Sequence, residues 1–155
     1  AYLMARQLGL RAVAHAGEEG PPSYVTGALD VLGAERIDHG VRSLEDSDLV
    51  ARLARDRVPL TVCPLSNVAL KVVPRLEDHP LPRMMEAGLL VSVNSDDPAY
   101  FGGYVGANYQ GLVESLGFGA TELVELAANS ITSSFLAQDR KTELLDELGQ
   151  IEAEG

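Results

Sequence analysis

The sequence has 155 residues, 46% of them apolar, and carries a net charge of −11 at neutral pH. These values are typical of one globular domain that buries a real core, and they exclude a disordered chain. The 12 basic residues are scattered, which argues against binding to a nucleic-acid backbone. We therefore expect a small-molecule partner.

Neither hydropathy nor cysteine usage indicates a membrane or an export route. No apolar run approaches the roughly 20 residues of a transmembrane helix, and no basic region followed by an apolar stretch opens the chain. Cys63 is the single cysteine, so an internal disulfide cannot form. This usage favours a reducing compartment, and we expect the protein to be cytoplasmic.

In chain order, a helical opening that ends at Gly9 is followed by four units, each made of an apolar strand, a polar tip and a helix. The strands are predicted at 11–14, 35–38, 58–63 and 89–94. The first two are followed by helices at 24–32 and 45–55. A proline-rich loop precedes the third helix, which holds Met84 and Met85. A glycine- and tyrosine-rich loop at 99–106 then leads to two or three terminal helices.

Parallel strands joined by helices form either an open doubly wound sheet or a closed barrel. A doubly wound nucleotide-binding sheet would show a glycine-rich phosphate loop, and the sequence has neither G-x-G-x-x-G nor G-x-x-x-x-G-K-[ST]. A complete barrel has about eight βα units and roughly 250 residues. The sequence therefore predicts an α/β fold amounting to about half of a TIM-type βα barrel.

Short polar motifs follow the predicted strands, where the carboxyl ends of parallel strands open toward a ligand. The motifs are His15-Ala16-Gly17-Glu18, Asp38-His39-Gly40, Ser66-Asn67 and Asn94-Ser95-Asp96-Asp97-Pro98. Polar groups inside such strands would be buried without partners. Their confinement to strand ends predicts a catalytic mouth.

The first two motifs supply two imidazoles and a carboxylate. His15 and Glu18 share a pocket if the chain turns at Gly17, where the turn tolerates no Cβ. They are then either a metal ligand beside a general acid or base, or a core histidine followed by an acid at a helix N-terminus. His39, at the next strand end, is open to the same two interpretations.

The remaining polar residues differ in how strongly they indicate a functional site. Adjacent Asp96 and Asp97 repel each other at an apolar strand end unless a cation or hydrogen-bond donors stabilise them, whereas a helix cap before Pro98 needs only one of them. Ser66-Asn67 is explained equally by turn chemistry and by support of a site. We expect His79, in the proline-rich loop, to lie at the surface or rim.

The strings HAGE, RIDHG, CPLSN and VNSDDP, in this order and at βα spacing, resemble the second half of the adenosine/adenine deaminase family. These are metal-dependent purine deaminases on a βα barrel within the amidohydrolase superfamily, and the resemblance spans nearly the whole chain. Asp38 in RIDHG and the run DDPAYFGGY resemble the microbial adenine deaminase branch. The resemblance thus implies the second half of a barrel, with about four βα units plus C-terminal helices.

The resemblance also implies site residues and a reaction. His15 and Asp96 would bind one zinc ion, Glu18 would protonate the purine ring nitrogen, and His39 would orient and deprotonate the metal-bound water. Asp97 would hold the water and the purine. The expected reaction is hydrolysis of adenine to hypoxanthine and ammonia.

One part of the family pattern is missing from the sequence. The family's zinc takes two further histidines from a His-x-His, and this chain has only three histidines, with no such pair. We therefore expect residues 1–155 to be a partial barrel domain whose N-terminal half is absent, inactive alone and prone to self-association through open sheet edges. Three alternatives stay open: deamination of adenosine or N6-substituted adenine, a non-catalytic half-barrel that binds a partner protein, and a barrel amidohydrolase acting on another cyclic amidine or amide.

Overall fold

The structure is a computed structural model and describes residues 1–154. The strands are β1 (Val13–Ala16), β2 (Arg36–His39), β3 (Leu60–Val62) and β4 (Val91–Val93). The helices are α1 (Tyr2–Gln7), α2 (Pro22–Gly27), α3 (Ser47–Asp56), α4 (Pro64–Ala69), α5 (Leu81–Glu86), α6 (Pro98–Phe101), α7 (Val105–Leu116), α8 (Ala120–Thr132) and α9 (Gln138–Glu154). A π-helical turn continues α2 over Ala28–Leu32, and 3-10 turns cover Val41–Glu45 and Leu76–Asp78.

The strands form one parallel sheet in the order β1-β2-β3-β4. Neighbours in the sheet are therefore neighbours in the chain, whereas a doubly wound sheet reverses its strand order at a switch point. The consecutive order is that of a barrel wall. Over residues 1–154, β1 and β4 each pair with one strand and form the two edges of the sheet.

The core lies between the sheet and the helices that cover it. Ile37, Leu60 and Val91 are fully buried on the strands, and Leu53 of α3 and Leu126 of α8 are fully buried on the helices. Burying each such side chain contributes about 1.5–3 kcal/mol. This packing holds the carboxyl ends of the strands in fixed positions, where polar residues can be placed accurately.

The first helix after β2 shows how a local sequence signal sets an element boundary. Oδ1 of Asp46 accepts hydrogen bonds from the backbone N–H groups of Asp48 and Leu49, at 3.0 and 3.1 Å. These bonds satisfy two N–H groups that the helix itself leaves without partners. The cap starts α3, which ends at Arg57 in a left-handed conformation.

The four predicted strands are confirmed, with bounds shifted by one or two residues at each end. Ser66 and Asn67, for which turn chemistry and support of a site were both open, lie within α4. Two local predictions were wrong. The segment 99–106 is not a loop throughout, because it contains most of α6 and the start of α7. His79 is 3% exposed and lies in the interior, because the proline-rich loop folds inward over α4.

Across residues 1–154, no helix combines the length and the apolar character required to cross a bilayer.

Candidate active site

The position of Glu18 depends on a sharp turn at Gly17, the residue between the end of β1 and Glu18. Gly17 has a φ of +66°, and a Cβ there would lie 2.7 Å from Cγ2 of Val25 and 3.3 Å from Cα of Gly40. Only glycine combines a left-handed backbone with so close an approach to neighbouring atoms. The predicted turn at Gly17 is confirmed.

His39 and Asp96 both have left-handed backbones just where their strands finish. His39 is the last residue of β2 with a φ of +69°, and Asp96 follows β4 with a φ of +57°. This conformation costs non-glycine residues about 1–3 kcal/mol and is concentrated at functional sites. In both residues it accompanies a side chain that lines the same cavity.

A cavity of about 410 Å³ opens at the carboxyl ends of the strands. Its lining includes the predicted residues His15, His39 and Asp96, together with Asp38, Arg36, Thr61, Cys63, Asn94, Ser95 and Val105. The structure therefore brings together residues from the ends of all four strands. The predicted convergence is confirmed for these three predicted side chains. Glu18 does not share this pocket with His15 as predicted, because it lines a neighbouring cavity beside Glu19 and Arg42.

Asp97 lies outside the lining of this cavity. Its Oδ1 accepts hydrogen bonds from the N–H groups of Ala99 and Tyr100, both at 3.0 Å, and caps α6. The capping interpretation thus describes the contacts of Asp97, while Asp96 faces the cavity. A role for Asp97 in substrate binding stays a prediction.

Glu18 and Asp96 approach the two nitrogens of the His39 ring from opposite ends. Oε1 of Glu18 lies 3.2 Å from Nδ1, and Oδ2 of Asp96 lies 3.9 Å from Nε2. The ring is almost completely buried, with 2% of its side chain exposed. His39 is therefore the link between a carboxyl group on one side and the cavity on the other.

Burial shifts the titration of both residues in this pair toward their neutral forms. The pKa of Glu18 is raised, first by burial and then by the negative charges of Asp96 and Glu19. The pKa of His39 is lowered, first by burial and then by the charge of His15. Glu18 thus holds a proton more readily than an exposed glutamate does, as a general acid must, and His39 is a neutral base.

Asp38 of β2 lies beside the exposed ring of His15, and Thr61 of β3 in turn holds Asp38. Oδ2 of Asp38 lies 3.6 Å from Nδ1 of His15, and the hydroxyl of Thr61 donates a 2.6 Å hydrogen bond to Oδ1 of Asp38. Arg36 Nε lies 3.4 Å from the same Oδ1. A carboxylate on one ring nitrogen leaves the other free to bind a metal, as in carboxylate–histidine–zinc triads.

The donors around the cavity fit part of a zinc site. One ligand atom each from His39, Cys63 and Asp96 lies within 4.8 Å of the others. Burial, followed by the charge of Asp96, raises the pKa of the Cys63 thiol to about 12, so this group is protonated at neutral pH. Zinc requires a thiolate from cysteine, so within this group the imidazole of His39 and the carboxylate of Asp96 are the suitable donors, and His15 stands outside the group. The pairing of His15 with Asp96 as zinc ligands stays a prediction.

Asn67 and His79 support the mouth from within α4 and the loop before α5. Nδ2 of Asn67 donates to Oε1 of Glu18 at 3.2 Å and lies 3.4 Å from Nδ1 of His39. Nε2 of His79 lies 3.2 Å from Oδ1 of Asn67. Sequence reasoning placed His79 outside the site, because nothing in its proline-rich surroundings distinguishes an inward-folded loop from an exposed one.

Comparisons with known proteins agree on one family. The family model described as adenosine deaminase matches residues 1–151. An adenine deaminase of Streptomyces coelicolor is 63% identical over 140 residues, which cover 90% of this chain and 41% of the relative. The chain thus spans less than half the length of that relative.

Solved structures extend the comparison to the fold. The crystal structure of adenine deaminase from Arthrobacter aurescens superposes with a TM-score of 0.97 at 60% identity, covering 98% of this chain and 46% of that one. An amidohydrolase from Burkholderia ambifaria, with bound Zn, has a TM-score of 0.83 at 28% identity, covering 99% and 45%. The predicted α/β fold, part of a βα barrel, is confirmed.

Proposed function

The chain belongs to the adenosine deaminase family, and on that premise we propose that it supplies half of the catalytic mouth of a zinc-dependent adenine deaminase. Such an enzyme converts adenine and water to hypoxanthine and ammonia. The observation that carries the proposal is the contact between His39 and Glu18, 3.2 Å from Nδ1 to Oε1. It places a partly buried acid directly behind a neutral base that lines the cavity. The relatives named adenine deaminase, at 63% and 60% identity, favour adenine over adenosine.

His15 and Asp96 are the residues that would bind the zinc ion, and the remaining ligands would come from outside this chain. When bound, zinc lowers the pKa of water to about 7 and so makes hydroxide available. Asp38 is placed to orient His15 when the metal is bound, since its carboxylate lies 3.6 Å from Nδ1. Asp96 is held by the Ser66 hydroxyl.

His39 supplies the base. With Nδ1–H donated to the Glu18 carboxyl, its Nε2 is unprotonated and faces Asp96 and the cavity. Nε2 can then accept a proton from the attacking water. Low exposure of the ring keeps bulk water from competing for that proton.

Glu18 supplies the acid. A proton given to the ring nitrogen beside the amino-bearing carbon disperses the negative charge that builds as the water oxygen adds to that carbon. The C–O bond forms, His39 passes the proton it took from water to the amino group, and the C–N bond breaks as ammonia leaves. The remaining hydroxyl proton returns to Glu18. The purine ring becomes an oxo-purine.

The test uses a chimaera in which residues 1–151 replace the matching part of the Arthrobacter aurescens enzyme, so that a complete barrel is present. We expect this chimaera to bind zinc and to have a much larger kcat/KM for adenine than for adenosine. Equal or greater activity on adenosine would assign the chain to an adenosine-specific enzyme. Absence of deamination in a folded, zinc-loaded chimaera would contradict the proposal.

Two variants of the chimaera separate the roles of acid and ligand. Glu18→Gln should retain zinc and lose about 10²–10⁴-fold in kcat, because the proton donor is gone while the metal ligands remain. His15→Ala should lose zinc first. Elemental analysis beside the rate measures both, and zinc loss in Glu18→Gln with no further loss of rate would reverse the assignment.

A further inference from the structure

The interior of the chain holds a line of three buried or partly buried polar side chains, His79, Asn67 and Glu18, that runs from the loop before α5 to His39. His79 is 3% exposed and Asn67 is fully buried. Neither residue lines the cavity. Polar groups buried this deeply stay only where each has a hydrogen-bond partner, so the order of donors and acceptors along the line can be deduced.

A backbone N–H group fixes the first donor of the line. The N–H of Leu81 donates to Nδ1 of His79 at 3.1 Å, and a backbone N–H can only donate. Nδ1 is therefore an acceptor without a proton. Burial lowers the pKa of His79 to about 4, so the ring is neutral at pH 7 and carries its single proton on Nε2.

The proton on Nε2 fixes the amide of Asn67. Nε2–H of His79 donates to the Asn67 atom 3.2 Å away, which must then be the carbonyl oxygen Oδ1. The amide group Nδ2 consequently points the other way, where it lies 3.2 Å from Oε1 of Glu18. A histidine at the far end of the line thus decides which end of the amide faces the acid.

The amide in turn distinguishes the two oxygens of Glu18. Oε1 accepts from Nδ2–H of Asn67 and faces Nδ1 of His39, at 3.2 Å from each. When both of these nitrogens donate to Oε1, this oxygen has no lone pair left for an acid proton. In the protonated form of Glu18, the acid proton is therefore on Oε2.

We propose that His79, acting through Asn67, is a positioning residue that keeps the transferable proton of Glu18 on Oε2. The inference rests on the proposed function, because it assigns Glu18 the role of acid. His79 and Asn67 touch neither the cavity nor the reacting atoms, so their effect is on the orientation of the acid. Loss of the line lets the amide rotate and the carboxyl proton occupy either oxygen.

The first test uses the 155-residue chain itself and needs no activity. Long-range ¹⁵N–¹H NMR at pH 7 should show His79 as the Nε2–H tautomer, and the Asn67 side-chain amide protons should exchange slowly. In His79→Leu the amide protons should exchange fast, and in His79→Gln, whose Nε2 can still donate, they should remain protected. An Nδ1–H tautomer, or equal exchange in all three proteins, would overturn the proposal.

The second test uses the chimaera defined above and separates positioning from mere folding. His79→Leu should lower kcat by up to about 100-fold with little change in KM, and His79→Gln should recover most of the loss. Asn67→Asp, which is isosteric but places a carboxylate against Glu18, should lower kcat similarly. Unchanged kcat per folded, zinc-loaded site in both variants would contradict the proposal.

A double-variant cycle shows whether the effect passes through Glu18. In the Glu18→Gln background, which has no acid proton to place, His79→Leu should cause no further loss of kcat. If His79→Leu lowered kcat in that background as much as it does in the parent chimaera, its effect would not pass through Glu18. If the parent chimaera fails to deaminate purines, the proposed function fails, while the NMR result still decides the orientation of Asn67.

Discussion

The hydroxyl of Ser66 donates a 2.6 Å hydrogen bond to Oδ2 of Asp96 and so joins α4 to the residue that follows β4. The two residues are 30 positions apart in sequence. Asp96 has a left-handed backbone, so its carboxylate is aimed by the turn and then held by the serine. Partners of this kind orient metal ligands, and their loss typically costs about 10–100-fold in metal affinity or activity.

We expect Ser66→Ala in the chimaera to weaken zinc binding by about 10–100-fold, because Asp96 loses the donor that orients it. Competition with a chelator measures the affinity. Ser95→Ala is the matched control, since Ser95 lines the same cavity but its hydroxyl contacts only the backbone oxygen of Asp96. Equal zinc affinity in the two variants would show that the Ser66 hydrogen bond does not orient the ligand.

Asp97 can be tested for two separable roles, since it caps α6 and is also expected to bind the purine. Asn caps a helix as well as Asp does, so Asp97→Asn should preserve the melting temperature while removing the charge. We expect the KM for adenine to rise in the chimaera carrying Asp97→Asn. If kcat and KM of Asp97→Asn equalled those of the parent chimaera, Asp97 would have only the capping role.

The buried imidazole of His79 should make the stability of the chain depend on pH. Its pKa is about 4 in the folded chain, against 6.5 for an exposed histidine, because burial penalises the charged ring. The unfolded chain therefore binds the proton more readily. The stabilisation is complete above about pH 6.5 and is lost as the pH falls toward 4, by up to ~3 kcal/mol.

Urea unfolding of the 155-residue chain at pH 7 and pH 4.5 measures this dependence. His79→Gln keeps a donor for Asn67 but cannot titrate, so its free energy of unfolding should fall less over the same interval. All other carboxyl and imidazole groups are common to both proteins and cancel in the comparison. If the free energy of unfolding changed equally with pH in the parent chain and in His79→Gln, folding would not lower the pKa of His79.

The open edges of the sheet predict self-association of the isolated chain. Within residues 1–154, β1 and β4 each have one strand partner, and the large apolar side chains of Leu3, Met4 and Leu8 on or beside α1 are exposed. Unpaired strand edges and apolar patches favour pairing with another copy. Sedimentation velocity should show a weight-average mass that rises with concentration.

Replacing Met4 and Leu8 by lysine should reduce this association. The matched control is Ile151→Lys, which removes an equally exposed apolar residue from α9 instead. A monomer at every concentration in the parent chain would contradict the expectation.

The sequence by itself determined the repeating βα units, the parallel sheet and the placement of His15, Glu18, His39 and Asp96 at strand ends. These features depend on local signals: apolar runs mark strands, helical periodicity marks the covering layers, and glycine marks turns such as that at Gly17. Such signals involve residues only a few positions apart, so they can be recognised without knowledge of the packing. They also predicted the partial barrel from the number of units.

Only the tertiary structure decided which polar residues contact one another. Glu18 reaches Asn67 across 49 positions, Ser66 reaches Asp96 across 30, and His79 reaches Asn67 across 12. The inward fold of the loop that holds His79 and the helical turn that carries Asn67 follow from packing against the sheet. Burial and pairing of a polar side chain depend on what the rest of the fold brings to its surface, and no local pattern encodes that.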